Sequence, residues 1–226
     1  MIETVVPSNK EMAAALKRTA TILSELHILS PEGNGSLGGA ADRLLREPEK
    51  HWACNTTKSQ PITFEKRTDR SKQSFQPTIG VDRIEVRENG EELPFVKWDI
   101  SLLLKFDNGT AHCPRWHFDL GNPDQEGPKT HLQYGGYKHP NNPGLGPSVR
   151  EPRWNTAPMD IILLCETVSA NFFHEIWERS LRRDTSWTEI VRMSQRLCYP
   201  HYLRTLYSSL NSSGSGTHLD HCWNRQ

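Results

Sequence analysis

Two histidines and a carboxylate sit close together in R-W-H-F-D-L-G-N-P-D-Q-E-G-P-K-T-H-L-Q-Y, residues 115 to 134. Two short alternating runs flank a turn-rich loop there, the pattern of a β-hairpin. Pairing Asp119 with His131 sets His117 opposite Gln133. Successive strand residues point to opposite sides, so these four polar side chains share one face. Trp116, Phe118, Leu120, Leu132 and Tyr134 fall on the other, which can enter a core. On this register His131 points away from the core.

Three chemistries fit that polar face. Two imidazoles and a carboxylate match the donor types of a facial metal triad. Without a metal, His117 and His131 form an acid and base pair with Asp119 fixing one tautomer, a pairing suited to transfer within an RNA phosphodiester. The third reading is an ordinary solvated sheet face. The catalytic set is then His117, Asp119 and His131, with Gln133 as a binding residue and no cofactor required. Cys113 beside Pro114 is a weaker nucleophile, since His112 points to the other strand face. Arg179, Arg182 and Arg183 form a second basic cluster, read either as a phosphate-contact patch together with Arg192 and Arg196 or as cations suited to a helix C-terminus.

These residues need a sheet to hold them. From Ile79 the hydrophobic period is two, and Asn89-Gly90 and Asn108-Gly109 are hairpin turns. With Thr130 to Tyr134 added, a four-stranded antiparallel meander over 79–134 is expected. Pro114 places a bulge or an edge in its third strand. The other elements are helical. Ser8-Asn9-Lys10-Glu11 has capping-box spacing ahead of Met12, Leu16, Ile22, Leu23 and Leu26, which gives a first helix to about Leu29. Ser30 to Gly39 reads as a loop, and without G-K-[ST] it is no phosphate loop. Ala40 to Arg46 reads as a short helix, and 51–78 as a polar, solvated segment. Pro158 opens a long apolar stripe through Ile161, Leu164, Val168, Phe172, Ile176 and Leu181. Ser186-x-x-Glu189 caps a further helix, and Pro200 starts another. The expected fold is one α+β domain over 1–210, with the meander packed against a long helix, helices at both ends (158–210 being the helical part), and a flexible tail at 211–226.

Composition narrows the function. The chain has 226 residues, 27 basic and 27 acidic, so no long-range field gathers nucleic acid in bulk. A mean hydropathy of −0.67 is offset by seven Trp and seven Phe. Five scattered cysteines without C-x-x-C suggest neither a zinc knuckle nor a disulfide framework. No apolar run approaches the roughly 20 residues of a bilayer span. A cytoplasmic protein with reduced thiols is the expectation, with no membrane partner.

Two resemblances add to this. His139-Pro140-Asn141, followed by Trp154 and a Pro-initiated helix, resembles the ubiquitin-conjugating fold over about residues 9 to 180. That family's thioester cysteine is missing, since 142–154 contain none and Cys165 lies within a predicted helix. The resemblance implies an inactive interaction scaffold. The series H-x-D … H-L-Q-x-G-G, P-R-x-x-x-x-P-x-D-x-I-L and A-N-F-F, over about 98–206, resembles small uncharacterised bacterial proteins and, more distantly, TumE-like toxins of toxin–antitoxin loci. It implies a role in defence or growth control rather than metabolism. With the histidine pair suited to RNA chemistry, the expected partners are a protein, an antitoxin or complex subunit, and RNA.

Overall fold

The computed structural model describes residues 3–90, 92–107, 114–122, 124, 126–135, 152–211 and 216–224. In chain order its elements are α1 (Asn9–Glu25), α2 (Pro31–Leu44), β1 (His51–Cys54), β2 (Ile62–Thr63), β3 (Arg67–Thr68), β4 (Ser74–Arg87), β5 (Phe95–Phe106), β6 (Arg115–Leu120), β7 (Gly127–Pro128), β8 (Thr130–Tyr134), β9 (Arg153–Asn155), α3 (Ile161–Phe172), α4 (His174–Arg179), α5 (Thr185–Asn211), α6 (His218–Cys222) and β10 (Trp223–Asn224). The fold is α+β with an antiparallel sheet. Among the described residues that sheet has eight strands rather than four, in the order β1-β4-β5-β6-β8-β9, with β2 and β3 also on β4.

The segment 51–78 therefore contributes strands to the sheet. Its short strands pair along the long β4, where Trp52, Cys54, Ile62 and Phe64 drop into the core. Long polar side chains between these anchors hid the alternation. β4 and β5 form the central hairpin through Asn89-Gly90, with Gly90 in the left-handed region at φ 58°. A register shift between Val81 and Arg83 keeps both Val81 and Ile84 on the core face despite their odd spacing. The second turn, Asn108-Gly109, lies outside the described residues.

The Ser8 capping box forms as expected. The Glu11 amide donates to the Ser8 hydroxyl at 3.2 Å, and Glu11 Oε2 accepts from the Ser8 amide at 2.7 Å. The glycine-rich stretch after it is a helix, not a loop. Ser30 caps α2 by accepting from the Gly33 amide at 3.2 Å, and Pro31 sits at the first helical position. Gly33 is where this helix meets the sheet: a Cβ there would stand 2.0 Å from the Thr63 carbonyl oxygen. Leu37, Ala40, Ala41 and Leu44 bury its apolar side.

The stripe after Pro158 divides. Asp160, not Pro158, caps α3, accepting from the Leu163 amide at 2.9 Å. The helix stops at Phe173 (φ −124°, ψ 37°), whose ring turns inward against Phe64 at a centroid distance of 6.4 Å. The two expected C-terminal helices are instead one, α5, of 27 residues with Pro200 inside it. Asp184 caps it through the Trp187 amide at 2.8 Å. Proline removes the donor that would have met the Arg196 carbonyl. The Val5 amide supplies a replacement at 3.1 Å. That substitute donor lets the helix run on.

Helices α1, α2, α3 and α5 all contribute to one core with Ile79, Val81, Ile84, Val86, Ile100 and Phe118. One sheet face thus carries the helical layer, and the other presents the polar residues. The tail at 211–226 was expected to be flexible. Its described part forms α6 and then β10, which pairs with β7.

Candidate functional site on the polar sheet face

The hairpin register is the one that alternation demands: Asp119 opposite His131 and His117 opposite Gln133. Phe118 is buried on the core side, with Trp116, Leu120 and Leu132 packed against that core. Tyr134 is exposed at the sheet margin. β5 adds Asp99, directly across from Asp119, and β9 adds Asn155, across from His131.

Four side chains form a continuous run over three strands. His117 Nε2 lies 2.8 Å from Asp99 Oδ1. His117 Nδ1 is 3.8 Å from Asp119 Oδ2, and Asp119 Oδ1 is 2.5 Å from His131 Nε2. His131 Nδ1 meets the Pro128 carbonyl at 3.0 Å. Side-chain exposure is 40% at Asp99, 12% at His117, 26% at Asp119 and 0% at His131, so the two ends of the run differ most. Two carboxylates directly opposite each other repel. The imidazole of His117 between them offsets that repulsion.

The carbonyl at Nδ1 can only accept, so that nitrogen of His131 carries its hydrogen. Nε2 faces Asp119 Oδ1 at 2.5 Å, but the oxygen stands off the ring N–H direction, so the close contact is not a linear hydrogen bond. His131 is therefore an enclosed residue, and the expectation that it faces open polar surface is corrected. Its cover comes from elsewhere in the chain. β7 supplies the Pro128 carbonyl, and the Lys129 amide donates to the Cys222 carbonyl at 2.7 Å.

The accessible end of the run is Asp99 with His117. Asp99 was missed in the sequence. Its one signal is the alternation Trp98-Asp99-Ile100, which puts a carboxylate on the face opposite two core residues. Among the described residues no three His, Cys, Asp or Glu side chains are arranged to hold a metal ion. Asp119 separates the two imidazoles instead of joining them at one point.

A second polar cluster lies at the same edge. The Asn155 amide donates to His218 Nε2 at 3.0 Å, and His218 Nδ1 faces the Ser209 hydroxyl at 3.1 Å. Cys222 Sγ is 3.7 and 3.8 Å from the two ring nitrogens, so it rests over the ring instead of in its plane. Burial pushes this thiol up from its ordinary value, against a smaller lowering by Asn155. Cys222 is thus no activated nucleophile, whatever the sequence of residue types suggests.

Gln133 shares the polar face, between His117 and Arg153 in the register. The arginines do not join it. Arg179, Arg182 and Arg183 lie on α4 and the turn after it, on the helical side, where Arg182 is 2.5 Å from Glu178 and stands 5.4 Å over the Trp177 ring. Cys113 and His139-Pro140-Asn141 lie outside the described residues. Compared with protein-family models, with curated proteins and with solved structures, the chain matches none. Among the described residues no helix is long and apolar enough to cross a membrane.

Proposed function

We propose that this protein is a component of a bacterial defence or toxin–antitoxin system, and that its polar sheet face acts on RNA by metal-free acid–base chemistry. The observation that carries the reading is the run Asp99–His117–Asp119–His131, open at Asp99 and sealed at His131. The reaction is attack of a ribose 2′-hydroxyl on its own phosphodiester. Asp99 and His117 are the groups that meet substrate. The Asp99 oxygen not engaged by His117 takes the hydroxyl proton as the 2′-oxygen bonds to phosphorus. His117, as imidazolium, gives its Nε2 proton to the departing 5′-oxygen, leaving a cyclic phosphate, a protonated Asp99 and a neutral imidazole. Asp119 and His131 are positioning residues that hold the imidazole of His117 in orientation. General acid–base participation contributes about 10²–10⁴-fold in rate. Expression of wild type, Asp99→Asn and His117→Gln, with growth and RNA integrity as readouts, tests this. The expected result is loss of both effects in each variant. A His117→Gln protein that still arrests growth or degrades RNA ends the enzymatic reading.

One observation favours a second reading, a non-catalytic interaction module such as an inactive scaffold of the ubiquitin-conjugating type. Trp154, Tyr207 and Leu210 are 65%, 72% and 73% exposed, and aromatic side chains are the residues that most often anchor protein interfaces. On that reading Tyr207→Asp removes biological activity and His117→Gln leaves it intact.

A further inference from the structure

On the far side of the molecule from the polar face, the N-terminal segment and α5 enclose a cleft of about 430 Å³, lined by Val5, Val6, Pro7, Glu11, Lys50, Glu189, Arg192, Met193 and Arg196. Its walls are fixed. The Val5 amide bonds the Arg196 carbonyl left free by Pro200, Lys50 Nζ donates to the Val6 carbonyl at 2.7 Å, and Trp52 Nε1 donates to the Pro7 carbonyl at 2.9 Å. Arg192 and Arg196 stand one turn apart on α5, where like charges repel. Neither guanidinium takes part in a hydrogen bond or ion pair among the described residues. Of the two carboxylates in the lining, Glu11 is already engaged by the Ser8 amide and hydroxyl, at 2.7 and 2.8 Å. Lys50 is committed as well, to the Val6 carbonyl and, at 3.9 Å, to Glu88, so the two free guanidiniums face one uncommitted carboxylate, Glu189. Val6, Pro7 and Met193 add an apolar wall beside them.

We propose that this cleft binds a phosphate monoester carrying a short apolar stem. The two unpartnered guanidiniums suit an anionic head, and their forks present paired donors to its oxygens. The stem lies on Val6, Pro7 and Met193. The volume falls within the roughly 300–1,000 Å³ of small-ligand sites. The site is independent of the reading of the polar face, because it shares no residue with it.

Calorimetric titration of the full chain with butyl phosphate tests the proposal, with inorganic phosphate, butyrate and butanol as comparison arms. Butyl phosphate should bind saturably, butanol should not bind, and butyrate should bind more weakly. Each arginine replaced by glutamine should weaken binding about tenfold. Arg192→Gln and Arg196→Gln alter exposed side chains, so an unchanged thermal midpoint establishes that the fold survives. Met193→Glu, which puts a charge on the apolar wall, should also weaken butyl phosphate more than inorganic phosphate. Absence of saturable butyl phosphate binding overturns the proposal, as does equal affinity in the double glutamine variant. Inorganic phosphate binding as tightly as butyl phosphate removes the stem site, and tighter binding of butyrate removes the assignment of the head.

Discussion

His131 and His117 differ by two strand pairings yet should respond to substitution in opposite ways. His131 is sealed, its Nδ1 on the Pro128 carbonyl and its Nε2 on Asp119. His131→Ala leaves a cavity, an unpaired carbonyl and an uncompensated carboxylate, and should cost about 2–4 kcal/mol in urea unfolding. His117→Gln, at the accessible end, should cost about 1 kcal/mol or less while removing activity. An unfolding midpoint for His131→Ala equal to that of wild type would contradict the burial. The thiols divide in the same manner. Burial pushes Cys54 up to about 12 and raises Cys165 and Cys198 further from reactivity. In a Cys113→Ser background a thiol reagent should label Cys222 first, and the other three only on unfolding. Asp160 adds a pH dependence. Burial raises its carboxyl above the ordinary 3.8, against lowering by Ser194 and the Leu163 and Ile162 amides. Its contribution to stability is full below 3.8 and is lost as pH rises through the raised folded value. Asp160→Asn keeps a capping oxygen and should flatten that part of the stability–pH curve. A curve with unchanged slope would rule this out.

At the scale of elements, the glycines of α2 separate two roles that composition merges. Gly33 has no room for a side chain against Thr63, whereas Gly35 and Gly38 have nothing within 4 Å of an added Cβ. Gly33→Ala should destabilise by about 2 kcal/mol or more as helix and strand are forced apart. Gly35→Ala should stabilise by about 0.5–1 kcal/mol through helix propensity alone. Thermal midpoints shifting in the same direction for both would refute the assignment. The same element marks the limit of the sequence reading. The Ser8 box, the Asn89-Gly90 turn and the 117/133 and 119/131 pairings were legible because each is decided within a few residues. The helical state of 31–44 was not, since Gly33 is there for a strand some thirty residues on. The continuity of α5 through Pro200 depends on Val5, at the other end of the chain. Asp99 and the cover over His131 escaped for the same reason: the strands that complete the site are neighbours in space only.

At the scale of the whole molecule, division of labour follows from placing every large helix on one side of the sheet. The core then needs only one face, and the other is free to carry ionisable groups. That face is closed at its edge by the C-terminal segment. His218 bridges Asn155 and Ser209 and meets the edge of the Tyr202 ring at 5.9 Å. Removing residues 212–226 should therefore loosen the β7 and β9 end of the sheet, and hydrogen exchange of the Lys129 amide should rise by about 10-fold or more. Full-chain protection retained after that deletion would show that the segment merely rests there.

The pairing of Trp223 with Pro128 also has a consequence in time. Nearly a hundred residues separate the two partners, so the contact is among the last that chain growth permits. Until residues 217–224 have left the ribosome, the Pro128 carbonyl that orients His131 lacks its backing strand. A nascent chain would carry the acid–base run in an unfinished setting. On the proposed reading, the run therefore waits for a strand synthesised nearly a hundred residues after the one it backs.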